Sequence, residues 1–254
     1  MRNKNIKKII LNFLIIFFLI GTFFCLYLIL NNKNQVSKEN KMLEQFIVSV
    51  DNNKITNSYN NDVLEISKVS ETTKLEEYRK KYNNDEIVGV LSIDKTKINT
   101  LLLQTTNNDY YLRRLPNKEK HITGSVFIDY KTKLDNDKNV IIYGHNANNY
   151  DIPFRYLRNY LNKDFYLKHK YIDIETDFSV NKYEIFSVYI ADNNYLHLKT
   201  SFLDDEAWLS HLNKLKEKSI YGTNISLSAN DSIITLQTCL LKDDALIVIS
   251  AKKV

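Results

Sequence analysis

The sequence has few of the residues that mark low-complexity, collagen-like or disulfide-rich chains. Its 254 residues include only five glycines, two prolines and two cysteines. The scarcity of glycine and proline excludes a low-complexity or collagenous chain. With 44% hydrophobic and 12% aromatic residues, the chain has material for one sizeable core, and we expect one globular domain rather than two.

The chain also has little net charge outside its first eight residues. Of the 35 lysine and arginine residues, four precede Ile9, at positions 2, 4, 7 and 8. The other 31 are balanced by 30 acidic residues. Nucleic-acid binding requires a basic surface, so we expect no nucleic-acid partner.

One long apolar run lies near the N-terminus. Between residues 9 and 30 only Asn12 and Thr22 are polar, and a helix of this length crosses a hydrocarbon layer of about 30 Å. The run predicts a transmembrane helix; a cleaved signal peptide is the alternative, although the run is long for one and no small-residue cleavage site follows. Basic residues precede the run and none follows until Lys33, which predicts a single-pass membrane protein with a cytoplasmic N-terminus.

The apolar run divides the chain into four predicted segments. These are a cytoplasmic tail at residues 1–8, the membrane helix at 9–30, an extracellular tether with helices at 31–80, and a globular domain at 81–254. Within the tether, residues 41–50 and 72–82 have the composition of short helices.

From Glu86 onward the pattern changes to β-branched and aromatic runs separated by turn residues, which predicts strands. Eight strands are enough for a small closed barrel with a filled interior. Two helices interrupt them, at 154–161 and 204–218; the second has acidic residues in its first turn, lysines in its last and an apolar stripe. The predicted fold class is therefore mainly β with accessory helices. The predicted strands are 87–93, 97–103, 124–129, 139–144, 168–175, 183–190, 232–239 and 245–251.

Two of these strands end on residues that nucleophilic catalysis needs. One ends on Cys239, and another is followed directly by His145. A thiol and an imidazole are the pair that cysteine nucleophiles use. Cys25 lies in the apolar run, so Cys239 has no disulfide partner. A buried free cysteine is the alternative, whereas a zinc site is not expected, because two ligands are fewer than the three of a usual catalytic site.

The segments around both residues resemble the sortase family. Thr235-Leu236-Gln237-Thr238-Cys239 is similar to the TLxTC signature of sortases, and Tyr143-Gly144-His145-Asn146 is similar to the segment that carries their catalytic histidine. Residues 84–89, 108–112, 124–130 and 183–189 resemble class B sortases in the same order. The likeness extends over roughly residues 75–254.

The resemblance implies a sortase-type β-barrel and a membrane-anchored cysteine transpeptidase on the outer face of a Gram-positive cell. Cys239 would cleave a C-terminal sorting motif of secreted proteins, NPxTN-like for class B, through a thioester. An amine of a peptidoglycan precursor or crossbridge would resolve the thioester, with His145 as acid and base. These steps require no metal and no organic cofactor. By residue-wise match, the substrate groove comprises Asn108, Leu112, Tyr143, His197, Leu198 and Thr238.

The sequence departs from the family at one position. Sortases carry an arginine at the start of the last strand that helps to bind substrate and stabilise the oxyanion, and Leu246 stands there in this chain. The cations that could replace it by sequence are Lys242, Arg155 and Arg158. Two functions therefore stay open: an active class B sortase, slowed by the change at this position, and a sortase-fold binding protein with little or no turnover.

Overall fold

A computed structural model describes residues 2–47, 73–191, 195–239 and 245–254, with the backbone alone for residues 2–10 and Cys239. The chain forms two compact units, Met1–Glu44 and Gln45–Val254. The first is a single helix, α1 (Arg2–Glu44). From Leu11 onward α1 is long and apolar enough to cross a membrane, a test that a signal sequence also passes. The helix continues through the polar residues 31–40, which include neither glycine nor proline, the two strongest helix breakers.

The second unit is built on a closed barrel of eight strands, which confirms the predicted fold class. Around the barrel the order is β1-β2-β3-β4-β7-β8-β6-β5. The β2/β3 and β4/β7 pairs are parallel, and the other pairs are antiparallel. The strands are β1 (Ile87–Ser92), β2 (Asn99–Leu103), β3 (Phe127–Ile128), β4 (Asn139–Tyr143), β5 (Tyr171–Glu175), β6 (Val180–Ala191), β7 (Ile233–Cys239) and β8 (Leu246–Lys253).

Alternate side chains of each strand fill the barrel interior. On β7, Ile234 and Leu236 are fully buried in the main core, where they meet Ile249 of β8. Successive residues of a strand point to opposite faces, so Gln237 and Cys239 belong to the outer face of the barrel. The hydrophobic interior therefore determines which side of the sheet carries Gln237 and Cys239.

Helices surround the barrel and cover part of its outer face. They are α2 (Lys74–Tyr82), α3 (Lys163–Lys168), α4 (Asp205–Glu217) and the 3-10 helices Tyr111–Arg113, Pro153–Leu161 and Leu196–Leu198. On α4, Trp208 and Leu212 are buried in a second apolar cluster with Val248 of β8. The side chain of Asp204 caps this helix by accepting a hydrogen bond from Ala207 N at 2.7 Å. The predicted surface helix with an apolar stripe is confirmed.

Several predicted elements differ from the structure, three of them as follows. Strand β5 begins at Tyr171 rather than residue 168, because Asn162 caps a helix, α3, that occupies residues 163–168. The helix predicted at 154–161 is a 3-10 helix. Strand β3 has two residues instead of six, since Gly124 takes a left-handed conformation with φ of 56° and Ser125 N donates to Tyr111 O, outside the sheet.

Candidate active site

The two predicted catalytic residues lie at the carboxyl ends of neighbouring parallel strands. In the β4/β7 ladder Tyr143 lies opposite Gln237, and Gly144 N donates a hydrogen bond of 3.2 Å to Gln237 O. His145 comes two residues after Tyr143, and Cys239 comes two residues after Gln237. Because the carboxyl ends of parallel strands meet at one edge, the backbone brings His145 and Cys239 to the same rim of the barrel.

Gly144 is required at this rim because the backbone passes close to an aromatic ring. A Cβ atom added at Gly144 would lie 2.5 Å from Cδ2 of Phe154, closer than non-bonded carbon atoms approach. Phe154 belongs to the Pro153–Leu161 helix and is buried in the main core. The glycine before His145 therefore lets β4 end directly against the core.

A cavity of about 240 Å³ opens beside this rim. Four of the six predicted groove residues line it, namely Asn108, Leu112, Tyr143 and Thr238, together with His145. Neither His197 nor Leu198 is part of its described lining. The sequence analysis missed the other lining residues, although Gln237 shares the strand face of Cys239 and alternation could have identified it. These further residues are Asp109, Phe127, Gly144 and Gln237.

His145 is held by a main-chain carbonyl group. Its Nε2 atom lies 2.9 Å from Leu112 O; since a carbonyl oxygen only accepts, Nε2 carries the proton and Nδ1 is the basic nitrogen. Burial lowers the pKa of His145 below its usual 6.5, the bond to Leu112 raises the pKa, and the positive charge of Arg113 lowers it. The net effect is a neutral imidazole at neutral pH with Nδ1 able to take up a proton.

Buried Asp129 fixes two polar groups of the cavity. Its Oδ2 atom accepts hydrogen bonds of 2.9 Å from the Tyr143 hydroxyl and from Asn108 Nδ2. Asn108 Oδ1 in turn accepts from Tyr130 N at 3.0 Å, which sets the orientation of its amide. Burial and the Asp129 carboxylate raise the pKa of Tyr143, so its hydroxyl stays protonated. Both side chains therefore stand in the cavity wall in one fixed arrangement.

His197 lies behind the cavity wall and contacts one of its lining residues, Gln237. It is fully buried, and its Nε2 atom lies 2.6 Å from Gln237 Oε1. Nδ2 of Asn139, at the start of β4, donates to His197 O at 3.2 Å and to Lys199 O at 3.0 Å. His197 thus contacts the cavity through Gln237, whereas its neighbour Leu198 is half-buried on the same 3-10 helix.

The position where the family arginine is expected lies beside Cys239. Leu246 is directly opposite Cys239 in the antiparallel β7/β8 ladder, so both belong to the outer face. Leu246 packs against the apolar cluster beneath α4. Arg155 and Arg158 donate to Tyr150 O and Asn148 Oδ1, and Lys242 lies outside the described residues. In the part of the chain that the structure describes, the cavity lining includes no arginine or lysine.

Comparisons with known proteins identify relatives of the barrel domain. A family model described as the sortase domain matches residues 91–254. Sortase B of Listeria monocytogenes is 39% identical over 162 residues, which are 63% of this chain and 65% of that protein. This chain therefore spans just under two thirds of the length of that curated relative.

Solved sortase structures share the fold. A Staphylococcus aureus sortase B–substrate complex is 25% identical with a TM-score of 0.66, and the match covers 88% of this chain and 93% of that one. A sortase B complexed with triglycine is 31% identical with a TM-score of 0.64, covering 70% of this chain and 84% of that one.

The environment of His145 predicts a pKa below its usual 6.5, lowered by burial and further by the charge of Arg113. An NMR titration of the His145 ring should give a midpoint below 6.5 in the wild type. Arg113→Gln should raise the midpoint, because it removes a nearby positive charge, while Lys163→Gln, at an exposed position on α3, should leave it unchanged. A midpoint at or above 6.5 in the wild type would contradict the burial of the imidazole.

Proposed function

Because the chain belongs to the sortase family, and within it to class B, we propose that it is a membrane-anchored cysteine transpeptidase that joins secreted proteins to peptidoglycan. The observation that carries the proposal is the placement of Cys239 at the end of β7 and of His145 just after the parallel strand β4, at the rim of a cavity of about 240 Å³. Retention of both residues favours catalysis, since binding alone needs no thiol beside an imidazole.

Acylation uses the basic nitrogen of His145. The Cys239 thiol gives its proton to Nδ1, and the thiolate attacks the carbonyl carbon of the threonine in the sorting motif. The bond between this carbon and the next nitrogen breaks, and the departing amine takes the proton from the imidazolium. A thioester between the secreted protein and Cys239 remains.

Aminolysis reverses these proton transfers. An amine of a peptidoglycan precursor or crossbridge gives a proton to Nδ1 of His145 and attacks the thioester carbon, and the Cys239 thiolate leaves with the proton returned to it. One amide bond has been broken and one formed. The low pKa of His145 suits this step, because the imidazole is neutral and able to accept the proton.

The cavity chemistry supports a short peptide as the acyl donor. Asn108 and Tyr143 supply fixed polar groups, and Leu112 and Phe127 supply apolar walls. We propose that an NPxTN-like motif occupies this cavity with its threonine carbonyl beside Cys239. The Staphylococcus aureus sortase B–substrate complex supports a substrate site in this fold.

Acyl transfer can be detected directly by mass spectrometry. After incubation of the purified full chain with an NPxTN-type peptide, we expect an acyl adduct on Cys239. Cys239→Ala should abolish the adduct, and Cys25→Ala, at the only other cysteine, should retain it. The proposal would be overturned by a wild type without adduct, or by an adduct that persists in Cys239→Ala.

A second function, peptide binding with little turnover, is favoured by Leu246. A leucine opposite Cys239 supplies no hydrogen-bond donor to an oxyanion. Loss of one such donor typically slows an enzyme about 10²–10³-fold. This alternative predicts tight binding of sorting peptides and a very slow rate of acylation.

Leu246→Arg tests whether acylation is slow because position 246 lacks a hydrogen-bond donor, or whether another cation already supplies that donor. We expect this variant to raise the single-turnover acylation rate, because the new side chain starts on the same face as Cys239. Leu246→Met, which keeps the size and adds no donor, is the matched control. If Lys242 or Arg155 already serves the oxyanion, Lys242→Ala or Arg155→Ala should instead lower the rate about tenfold or more. An unchanged rate in all variants would contradict a role for position 246.

We further propose that residues 9–30 anchor the protein in the cell membrane, with residues 1–8 in the cytoplasm and residues 81–254 outside, joined by residues 31–80. The apolar stretch of α1 supports this arrangement. Protease added to cells stripped of their wall should digest the chain after about residue 31, where it leaves the bilayer. Protection of the Cys239 domain would reverse the topology, and a mature chain that begins after residue 30 would identify a cleaved signal peptide.

A further inference from the structure

A second, larger cavity with a basic lining adjoins the candidate active site. Its volume is about 910 Å³, and three of its lining residues are cationic: Arg113, Arg114 and Lys120. Asp109 lines both cavities. Arg113 directly follows Leu112, whose carbonyl oxygen binds His145. The two cavities therefore meet at Asp109, and Arg113 of the second cavity is the chain neighbour of the residue that binds His145.

Two of the three cations of this cavity are held by hydrogen bonds, and none has an ionic partner among the described residues. Arg113 Nη1 donates to Ile122 O at 2.8 Å, and Arg114 Nη1 donates to Lys118 O at 2.9 Å. The Arg114 guanidinium also stacks over the Tyr110 ring, 4.7 Å from its centroid. Among the described residues, none of the three cationic side chains forms an ion pair with a carboxylate. The two arginine side chains are therefore held in position, while no carboxylate among the described residues pairs with any of the three charges.

The backbone holds two of these charges against their mutual repulsion. Arg114 and Lys120 are directly opposite each other in an antiparallel bridge, and like charges in such a pair destabilise the fold. Backbone hydrogen bonds from Leu115 N to Glu119 O and from His121 N to Arg113 O close the loop around them. A loop that keeps its cations together at this cost suits an anionic ligand, which arginine and lysine bind through charge-assisted hydrogen bonds.

We propose that this cationic cavity, formed by Arg113, Arg114 and Lys120, binds the anionic group of the amine acceptor, while Asp109 receives the acceptor's ammonium group. The inference rests on the proposed transpeptidase function, which requires such an acceptor. A peptide acceptor carries a carboxylate, and a lipid-linked precursor also carries phosphate. Anionic oxygen is the chemistry that the two sources share.

The distribution of charge favours the acceptor over the sorting peptide as the occupant. The carboxylate of Asp109 stands where the two cavities meet, whereas Arg114 and Lys120 line only the second. An acceptor with an ammonium group at one end and an anion at the other matches this order. The acyl group of the thioester fills the first cavity during aminolysis, so the acceptor needs a separate approach to His145.

Acceptor kinetics test the proposal through the ratio of two KM values. The full chain in detergent micelles, with a sorting peptide as acyl donor, is supplied with triglycine or with triglycine amide, which has the same amine but no carboxylate. We expect a lower KM for triglycine. Lys120→Gln should raise this KM about three- to tenfold, Lys120→Glu should raise it further, and the KM for the amide should change much less. Lys120 makes no side-chain contact that the fold needs among the described residues, so these variants should fold.

Lys163→Gln removes an exposed charge elsewhere in the same domain and is the matched control, with both KM values unchanged. Equal KM values for the two acceptors in the wild type would overturn the proposal. The same rise for both acceptors in the Lys120 variants would also overturn it, because the carboxylate would then not be what Lys120 recognises.

Direct binding separates the two sources of anion and does not depend on turnover. Triglycine and pyrophosphate are titrated separately into the full chain, and the backbone amide resonances of residues 113–121 are followed by NMR. Saturable shifts with triglycine alone identify a carboxylate site, and competition by pyrophosphate identifies a phosphate site; either should be lost in Lys120→Glu. Absence of shifts with both probes overturns the inference. Triglycine binding by a chain that forms no adduct on Cys239 would contradict the transpeptidase function and retain this site.

Discussion

Five residue pairs, from Asn139 opposite Ile233 to Tyr143 opposite Gln237, hold β4 parallel to β7. Buried polar groups add to this ladder, since Thr235 Oγ1 donates to Asn139 Oδ1 at 2.9 Å. The pairing register determines which side chains of β7 enter the core, and a shift of one residue would turn Cys239 from the outer face into the barrel. The chemistry proposed for the rim depends on this register.

The polar groups of the cavity are each held by a second group of the protein. His145 is bound to a main-chain carbonyl, Tyr143 and Asn108 are bound to Asp129, and Gln237 is bound to His197. Such partners reduce the number of orientations that each side chain can adopt before a substrate arrives. A preorganised polar environment of this kind is what stabilises developing charge during acyl transfer.

The sequence predicted the barrel well because β-branched runs with buried alternate positions have few other stable arrangements. Cys239 and His145 could be identified because each lies at the end of a strand and belongs to a family motif. Helix α3 was harder to predict from the sequence. It depends on the side chain of Asn162, which caps the start of the helix and so favours a helix over a strand there. The burial of His197 could not be predicted either. His197 lies on a short 3-10 helix without a clear apolar pattern, and its contact with Gln237 of β7 joins residues 40 positions apart.

Leu112 contributes two separate groups to the rim, its side chain to the cavity wall and its carbonyl oxygen to His145. Every amino acid that can replace leucine carries the same carbonyl group. The tautomer of the histidine is therefore encoded by the backbone, whereas the shape of the cavity is encoded by the side chain. Evolution or protein engineering can vary position 112 to accommodate another peptide while the basic nitrogen of His145 keeps its place.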